Sequence, residues 1–384
     1  MSANFMTRLL VLLAVLGAAG CNSESSYEVV SSSSLNSQGF DFQTGPLPLP
    51  KEPSNNIATE EKFQLGRHLF YDKRLSGNQT MSCESCHLQE HAFTDGLTTS
   101  TGSTGEILHR NSQTLTNIAY NASYTWANPI LQSIEDQLVI PLFGEFPVEM
   151  GINDANRSEI LTRFNNEPLY SALFNNAFPN EQDPINFPNI IKALALFNRA
   201  LISKDSDFDK GTMSTAAMRG QDLFNSEKME CFHCHSGFNL SDSTLHQDTV
   251  FVSRPFFNTG LYNLDEEGSY PSTDNGLFDV TQNPQDKGKF RPPTLRNIAY
   301  TAPYMHDGSV ATLEDTLNFY AAGGRNIESG LHAGDGRKNP NKSEFVKGFT
   351  MSAQERDDLL AFLHALSDPT FIANPRYQTP FLSE

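Results

Sequence analysis

Two five-residue frames in this 384-residue chain carry the same set of donor atoms: Cys83-Glu84-Ser85-Cys86-His87 and Cys231-Phe232-His233-Cys234-His235. C-x-x-C-H is the spacing at which two thiols form thioethers with the vinyl groups of a haem. The histidine that follows is then held where its imidazole can take one axial position on the iron. One such frame could be a zinc or thiol-redox site, or chance. Two frames, with four of the five cysteines used in them, point to two covalently bound haem c groups. A disulfide framework is the rival reading. Bridges inside C-x-x-C would close very short loops and stabilise little, and they leave both histidines unexplained.

The fifth cysteine, Cys21, follows Arg8, the short apolar run Leu9 to Val15, and Ala18-Ala19-Gly20. A positive start, an apolar stretch too short to span a membrane and small residues before a cysteine read as a bacterial lipoprotein signal. Residues 1–20 are then the signal, Cys21 the acylated first residue, and 21–56, rich in Ser, Asn, Gln and Pro, a flexible tether. This predicts an exported protein on the periplasmic side of a bacterial membrane, the outer one favoured, held by lipid alone. The net charge of −18 argues against nucleic acid as a partner.

The elements that must position the two frames repeat. Thr114-Leu115-Thr116-Asn117-Ile118-Ala119-Tyr120 returns as Thr294-Leu295-Arg296-Asn297-Ile298-Ala299-Tyr300, 180 residues later (294 − 114). Ile134-Glu135-Asp136 returns as Leu313-Glu314-Asp315, and Gly66-Arg67-His68-Leu69-Phe70 resembles Gly220-Gln221-Asp222-Leu223-Phe224. Self-similarity of this kind predicts a duplicated unit. The expected fold is mainly α: two cytochrome-c-like haem domains, 57–203 and 204–384, related by internal duplication and joined by long loops. Thr59-Glu60-Glu61 reads as a helix start. Ile190, Ile191, Leu194, Phe197 and Leu201 keep helical spacing. Thr312 to Ala322 reads as a helix stopped by Gly323-Gly324, and Ser352 to Glu355 as a capping box.

Several stretches carry a family resemblance: residues 66–77 (Gly-Arg-His-Leu-Phe-Tyr-Asp-Lys-Arg-Leu-Ser-Gly), the first haem frame, Ala92-Phe93-Thr94-Asp95-Gly96, Pro147-Val148-Glu149-Met150 and Ala302-Pro303-Tyr304-Met305-His306-Asp307-Gly308. Together they resemble the bacterial di-haem cytochrome c peroxidase superfamily, which includes the MauG-like enzymes. The likeness runs from about residue 57 to about 370. Residues 142–150 most resemble the MbnH-type subgroup, whose members oxidise a tryptophan of a partner protein with peroxide.

The resemblance implies roles for particular residues. His87 would be the proximal ligand of a peroxidatic haem. Ser100-Thr101-Gly102-Ser103 stands where ordinary peroxidases carry a distal histidine, so that haem would be open, unless His91 or His109 supplies a ligand. Glu149 would move the peroxide proton, and Gln137 would hydrogen-bond the bound oxygen. On the other haem, opposite His235, Tyr320 stands fourteen residues after His306, where MauG-like enzymes have a tyrosine ligand. A core role for Tyr320 with Met305 as ligand is the alternative. Trp126, the only tryptophan, would relay electron holes between the haems. Asn117, Thr301 and Pro303 match positions that hold a calcium ion.

The function so implied is an oxidoreductase. Hydrogen peroxide would generate a high-valent di-haem state that oxidises an aromatic residue, tryptophan above all, of a small exported protein. Two other readings stand beside it: a cytochrome c peroxidase fed with electrons by a small c-type cytochrome, and a di-haem electron-transfer cytochrome with both irons sealed.

Overall fold

The computed structural model describes residues 39–381. The expected lipidation site Cys21, the signal and the first part of the tether lie outside these residues. Among the described residues the chain is mainly helical with little sheet. Its helices are α1 (Glu60–Tyr71), α2 (Ile134–Phe143), α3 (Arg157–Asn165), α4 (Pro168–Ala177), α5 (Phe187–Arg199), α6 (Asp207–Lys210), α7 (Thr215–Phe224), α8 (Phe278–Thr281), α9 (Leu313–Ala321), α10 (Ala353–Ala365) and α11 (Pro369–Ile372). The one sheet pairs β1 (Asn326–Ile327) with β2 (Gly334–Asp335), antiparallel.

The helix signals read from the sequence act as expected. The Thr59 hydroxyl accepts from Lys62 N at the start of α1. Ser352 and Glu355 cap α10 reciprocally. Thr312 accepts from Asp315 N ahead of α9, and Gly323 takes a positive φ just past its end. In α5, Ile190, Leu194 and Phe197 are fully buried.

Two helix pairs form the frame, α1 against α5 and α7 against α10. Each crosses at a glycine. A Cβ on Gly66 would lie 2.0 Å from the Ala193 carbonyl, and one on Gly220 would lie 1.9 Å from that of Asp358. These are the glycines aligned in the sequence repeat, and the close approach is what requires them. Around the first pair pack Phe63, Phe70, Phe93 and Phe197, with Phe70 and Phe197 ring centroids 4.9 Å apart. Around the second pack Phe224, Leu313, Leu317, Leu359, Phe362 and Leu363.

The two copies of the Asn-Ile-Ala-Tyr stretch behave alike. Asn117 and Asn297 are left-handed, with φ of 53° and 61°, and each precedes a single 3-10 turn. The Asn117 carboxamide oxygen accepts Ser203 N at 2.6 Å, after α5; that of Asn297 accepts Asp368 N at 2.7 Å, after α10. Each asparagine thus ties down the chain that leaves the long helix of its own half. Beyond α10 the chain returns to the first half: the Tyr71 hydroxyl donates to Tyr377 O at 2.6 Å, and Gln89 Nε2 donates to Phe371 O at 3.1 Å.

Candidate active site

Each C-x-x-C-H frame opens with a short 3-10 turn, Cys83–Ser85 and Cys231–His233, that puts both thiols of a frame on one cavity wall. None of the four is in a disulfide. The first cavity, about 450 Å³, is lined by Cys83, Cys86 and His87. The second, about 220 Å³, is lined by Cys231, Cys234 and His235.

Backbone carbonyls orient both imidazoles. His87 Nδ1 lies 2.8 Å from Phe93 O, and His235 Nδ1 lies 3.2 Å from both Leu240 O and Pro293 O. A carbonyl can only accept, so Nδ1 carries the proton and Nε2 keeps its lone pair. That is how a metal-ligating histidine is usually held. Phe93 and Leu240 both sit in left-handed backbone, the turn that aims each carbonyl. Burial lowers the pKa of both histidines, which favours the neutral ligand form. Paired free thiols, an oriented neutral imidazole and a cavity beside them fit a covalently attached haem in each half.

Helices α2 and α9 each supply part of a cavity wall, and three of their lining positions share one offset. Gln137, Leu138 and Pro141 of α2 line the first cavity, and Thr316, Leu317 and Tyr320 of α9, each 179 positions later (316 − 137), line the second. Where the second cavity has a phenol, the first has a proline, which offers no ligand atom. The Tyr320 hydroxyl makes no hydrogen bond to another described residue, and burial, with Cys234 and Cys231 near it, raises its pKa. Met305 also lines the second cavity.

Glu149 lines the first cavity from a loop held at several points. Ser103 N donates to Glu149 O at 2.8 Å, Gly77 N to Met150 O at 2.7 Å, and Met150 N to Pro141 O at 3.0 Å. Gly102 makes this closure possible, because a Cβ there would lie 1.8 Å from Val148 O. The Gly102-Ser103 pair, expected only to leave a haem face open, therefore also holds the acid in place. The carboxylate has no hydrogen-bond partner among the described residues, and burial pushes its pKa up to about 7. A carboxyl that titrates near neutral pH is suited to taking and returning a proton.

Trp126 lines both cavities. Its Nε1 donates to Asn111 O at 2.9 Å, and its carbonyl accepts from Arg291 N at 2.8 Å. Of the alternative histidines, His109 is exposed at the rim of the first cavity with Nδ1 3.2 Å from Thr273 O. His91 lines neither cavity.

The three residues expected to hold calcium do not all line one cavity. Thr301 and Pro303 line the second cavity, whereas Asn117 lines neither. The Asn117 amide is engaged by Ser203 on both sides, donating to its carbonyl at 3.1 Å as well as accepting its N–H. Asn111, which the sequence reading passed over, lines both cavities, and its Oδ1 accepts no hydrogen bond among the described residues.

Comparison with known proteins agrees with this geometry. The family model for di-haem cytochrome c peroxidase matches residues 60–217. A cytochrome-c peroxidase, IdrP1, of Pseudomonas sp. (strain SCT) is 35% identical over 342 residues, covering 84% of this chain and 85% of the relative. The methylamine utilization protein MauG of Methylorubrum extorquens (strain AM1) is 32% identical over 331 residues, covering 84% of this chain and 83% of its own. A solved structure described as a MauG-like protein associated with microbial copper homeostasis superposes with a TM-score of 0.86 at 51% identity, covering 87% of this chain and 97% of that one. The chain belongs to the di-haem cytochrome c peroxidase and MauG family of haem peroxidase-type oxidoreductases, with two haem cofactors.

Proposed function

We propose that this protein uses hydrogen peroxide to oxidise an aromatic side chain, tryptophan above all, of a protein partner. One observation carries the reading: α2 and α9 present corresponding faces, but Pro141 stands in the first cavity where Tyr320 stands in the second. The two halves, read as duplicated domains, have diverged into one open site and one closed one. Cys83, Cys86 and His87 would hold one haem; Cys231, Cys234, His235 and Tyr320 would hold the other. When bound, the pair supplies peroxide activation and storage of two oxidising equivalents. A hard, anionic phenolate favours the more oxidised metal, where a methionine would favour the reduced one.

The chain's own residues do the rest. Glu149, titrating near neutrality, takes a proton from entering peroxide and returns it to the departing oxygen. The Gln137 amide, with no hydrogen-bond partner among the described residues, would hydrogen-bond the entering peroxide. Trp126, sharing both cavity walls, passes oxidising equivalents between the halves. The partner is a small exported protein. Export and acylation at Cys21 keep the enzyme at the periplasmic face of the membrane. Among the described residues no helix is long and apolar enough to cross one.

A second reading is favoured by the cytochrome-c peroxidase relatives: reduction of peroxide to water with electrons from a small cytochrome. Incubation with peroxide and either a reduced cytochrome c or a tryptophan-bearing exported protein separates the two. The proposal expects a mass change on the second partner at two oxidising equivalents per peroxide. Rapid turnover of the cytochrome, with no modified protein, would replace it with the peroxidase reading.

A further inference from the structure

Arg291 is a buried cation with no carboxylate partner among the described residues. It is 3% exposed and lines the second cavity. Its guanidinium reaches only neutral oxygens: Nε donates to Thr125 O at 3.1 Å, Nη1 to Pro292 O at 3.4 Å and Nη2 to Gln113 Oε1 at 2.6 Å. A guanidinium has five N–H donors, so two remain. The other deeply buried arginines are each paired: Arg199 with Glu135 at 2.8 Å and Arg296 with Asp209 at 2.8 Å. Glu230, the only acid on the wall of the second cavity, is taken by Lys347. Burial lowers the Arg291 pKa to about 10. Taking a charge out of water costs several kcal/mol unless an opposite charge meets it.

The position of the guanidinium is as telling as its isolation. Gln113 lines both cavities and Thr125 the first. Arg291 therefore stands in the wall between the two sites, behind Trp126, whose carbonyl its own backbone N–H holds.

We infer that Arg291 is the anchor for a propionate of the haem in the second cavity, and that it places a fixed positive charge at that haem's edge on the side of Trp126. A c-type haem brings two carboxylates into a cavity whose own acid is already paired, and a planar fork matches a carboxylate in two parallel hydrogen bonds. A fixed cation beside the haem opposes the extra positive charge of ferric iron and so raises that haem's reduction potential. The inference rests on haem in the second cavity and is independent of which substrate is oxidised.

The test is a potentiometric titration of the two-haem protein, followed optically and by EPR so that each haem is read separately. Intact mass first counts the haems in wild type, Arg291→Gln and Arg291→Lys. Fewer than two haems in wild type would remove the haem assignment itself, a different failure from an absent anchor. With two haems in all three proteins, Arg291→Gln lowers one midpoint by about tenfold in its equilibrium, about 59 mV for one electron. Arg291→Lys restores most of it. Midpoints of Arg291→Gln both within twofold of wild type, or equal shifts of both haems, would overturn the anchor. If Arg291→Gln does not accumulate, Arg291→Lys decides. A second-haem midpoint within about twofold of wild type supports a role for the charge; a tenfold fall with the cation retained overturns it.

Discussion

Replacing Glu149 by Gln removes a buried carboxyl of the first cavity that has no hydrogen-bond partner among the described residues. The loop that carries it is fixed through backbone groups of Ser103, Gly77 and Pro141, none of which the substitution touches. Glutamine also keeps the shape, so the change isolates the proton. A pKa raised from 4.5 to about 7 means that the ionised form is disfavoured by about 3 kcal/mol in the folded protein. Two consequences follow. First, the carboxylate is the proton acceptor, so the wild-type rate of reaction with peroxide should rise with pH through an inflection near 7. Loss of a positioned base costs about 10²- to 10⁴-fold, and the variant should lose both that factor and the inflection. Second, between pH 4.5 and 7 the folded protein holds a proton that the unfolded chain has released, so stability falls as pH rises through that window. Wild type should therefore lose up to about 3 kcal/mol between pH 4.5 and 8, and the variant should not. Stopped-flow mixing with peroxide at several pH values, with denaturant melts at the two extremes, measures both. A variant that reacts within about threefold of wild type, or that keeps the inflection, would take Glu149 out of the mechanism.

Other substitutions probe other parts of the site. Tyr320→Phe should keep two haems by mass and still react with peroxide, but the oxidised state should no longer be shared between the irons; its persistence in low-temperature EPR would remove Tyr320 as a ligand. Gly102→Ala forces a Cβ to within 1.8 Å of Val148 O. It should slow peroxide reaction at least about tenfold and destabilise by about 1–3 kcal/mol in denaturant melts while both haems stay attached. Joint replacement of Cys231 and Cys234 by serine should lower the intact mass by one covalent haem, leaving the haem of the first frame in place.

The two C-x-x-C-H frames were legible because the motif is local: five adjacent residues carry the two thiols and the imidazole that line each cavity. Helix ends at Thr59, Thr312 and Ser352 were legible for the same reason, since a cap depends on three or four neighbours. The matched glycines Gly66 and Gly220 were visible as a repeat, but their reason, a helix crossing against Ala193 and Asp358, lies more than a hundred residues away. Contacts at that range do not show in spacing. The Gly102–Val148 closure that holds Glu149, and the lack of a carboxylate on Arg291 among the described residues, are likewise properties of the packed chain. Asn117 was expected at a calcium site by family resemblance, whereas the matched Asn-Ile-Ala-Tyr stretches have a structural reason of their own. The structure gives Asn117 and Asn297 the same backbone-tying job, which explains the matched sequence without any ion.

The central claim, one open haem and one closed one acting as a unit, is tested most directly by the EPR spectrum of the ferric protein before and after one equivalent of peroxide. The account predicts one high-spin and one low-spin signal, both lost promptly on peroxide with no prior reduction. Two low-spin signals that ignore peroxide until one haem is reduced would contradict it.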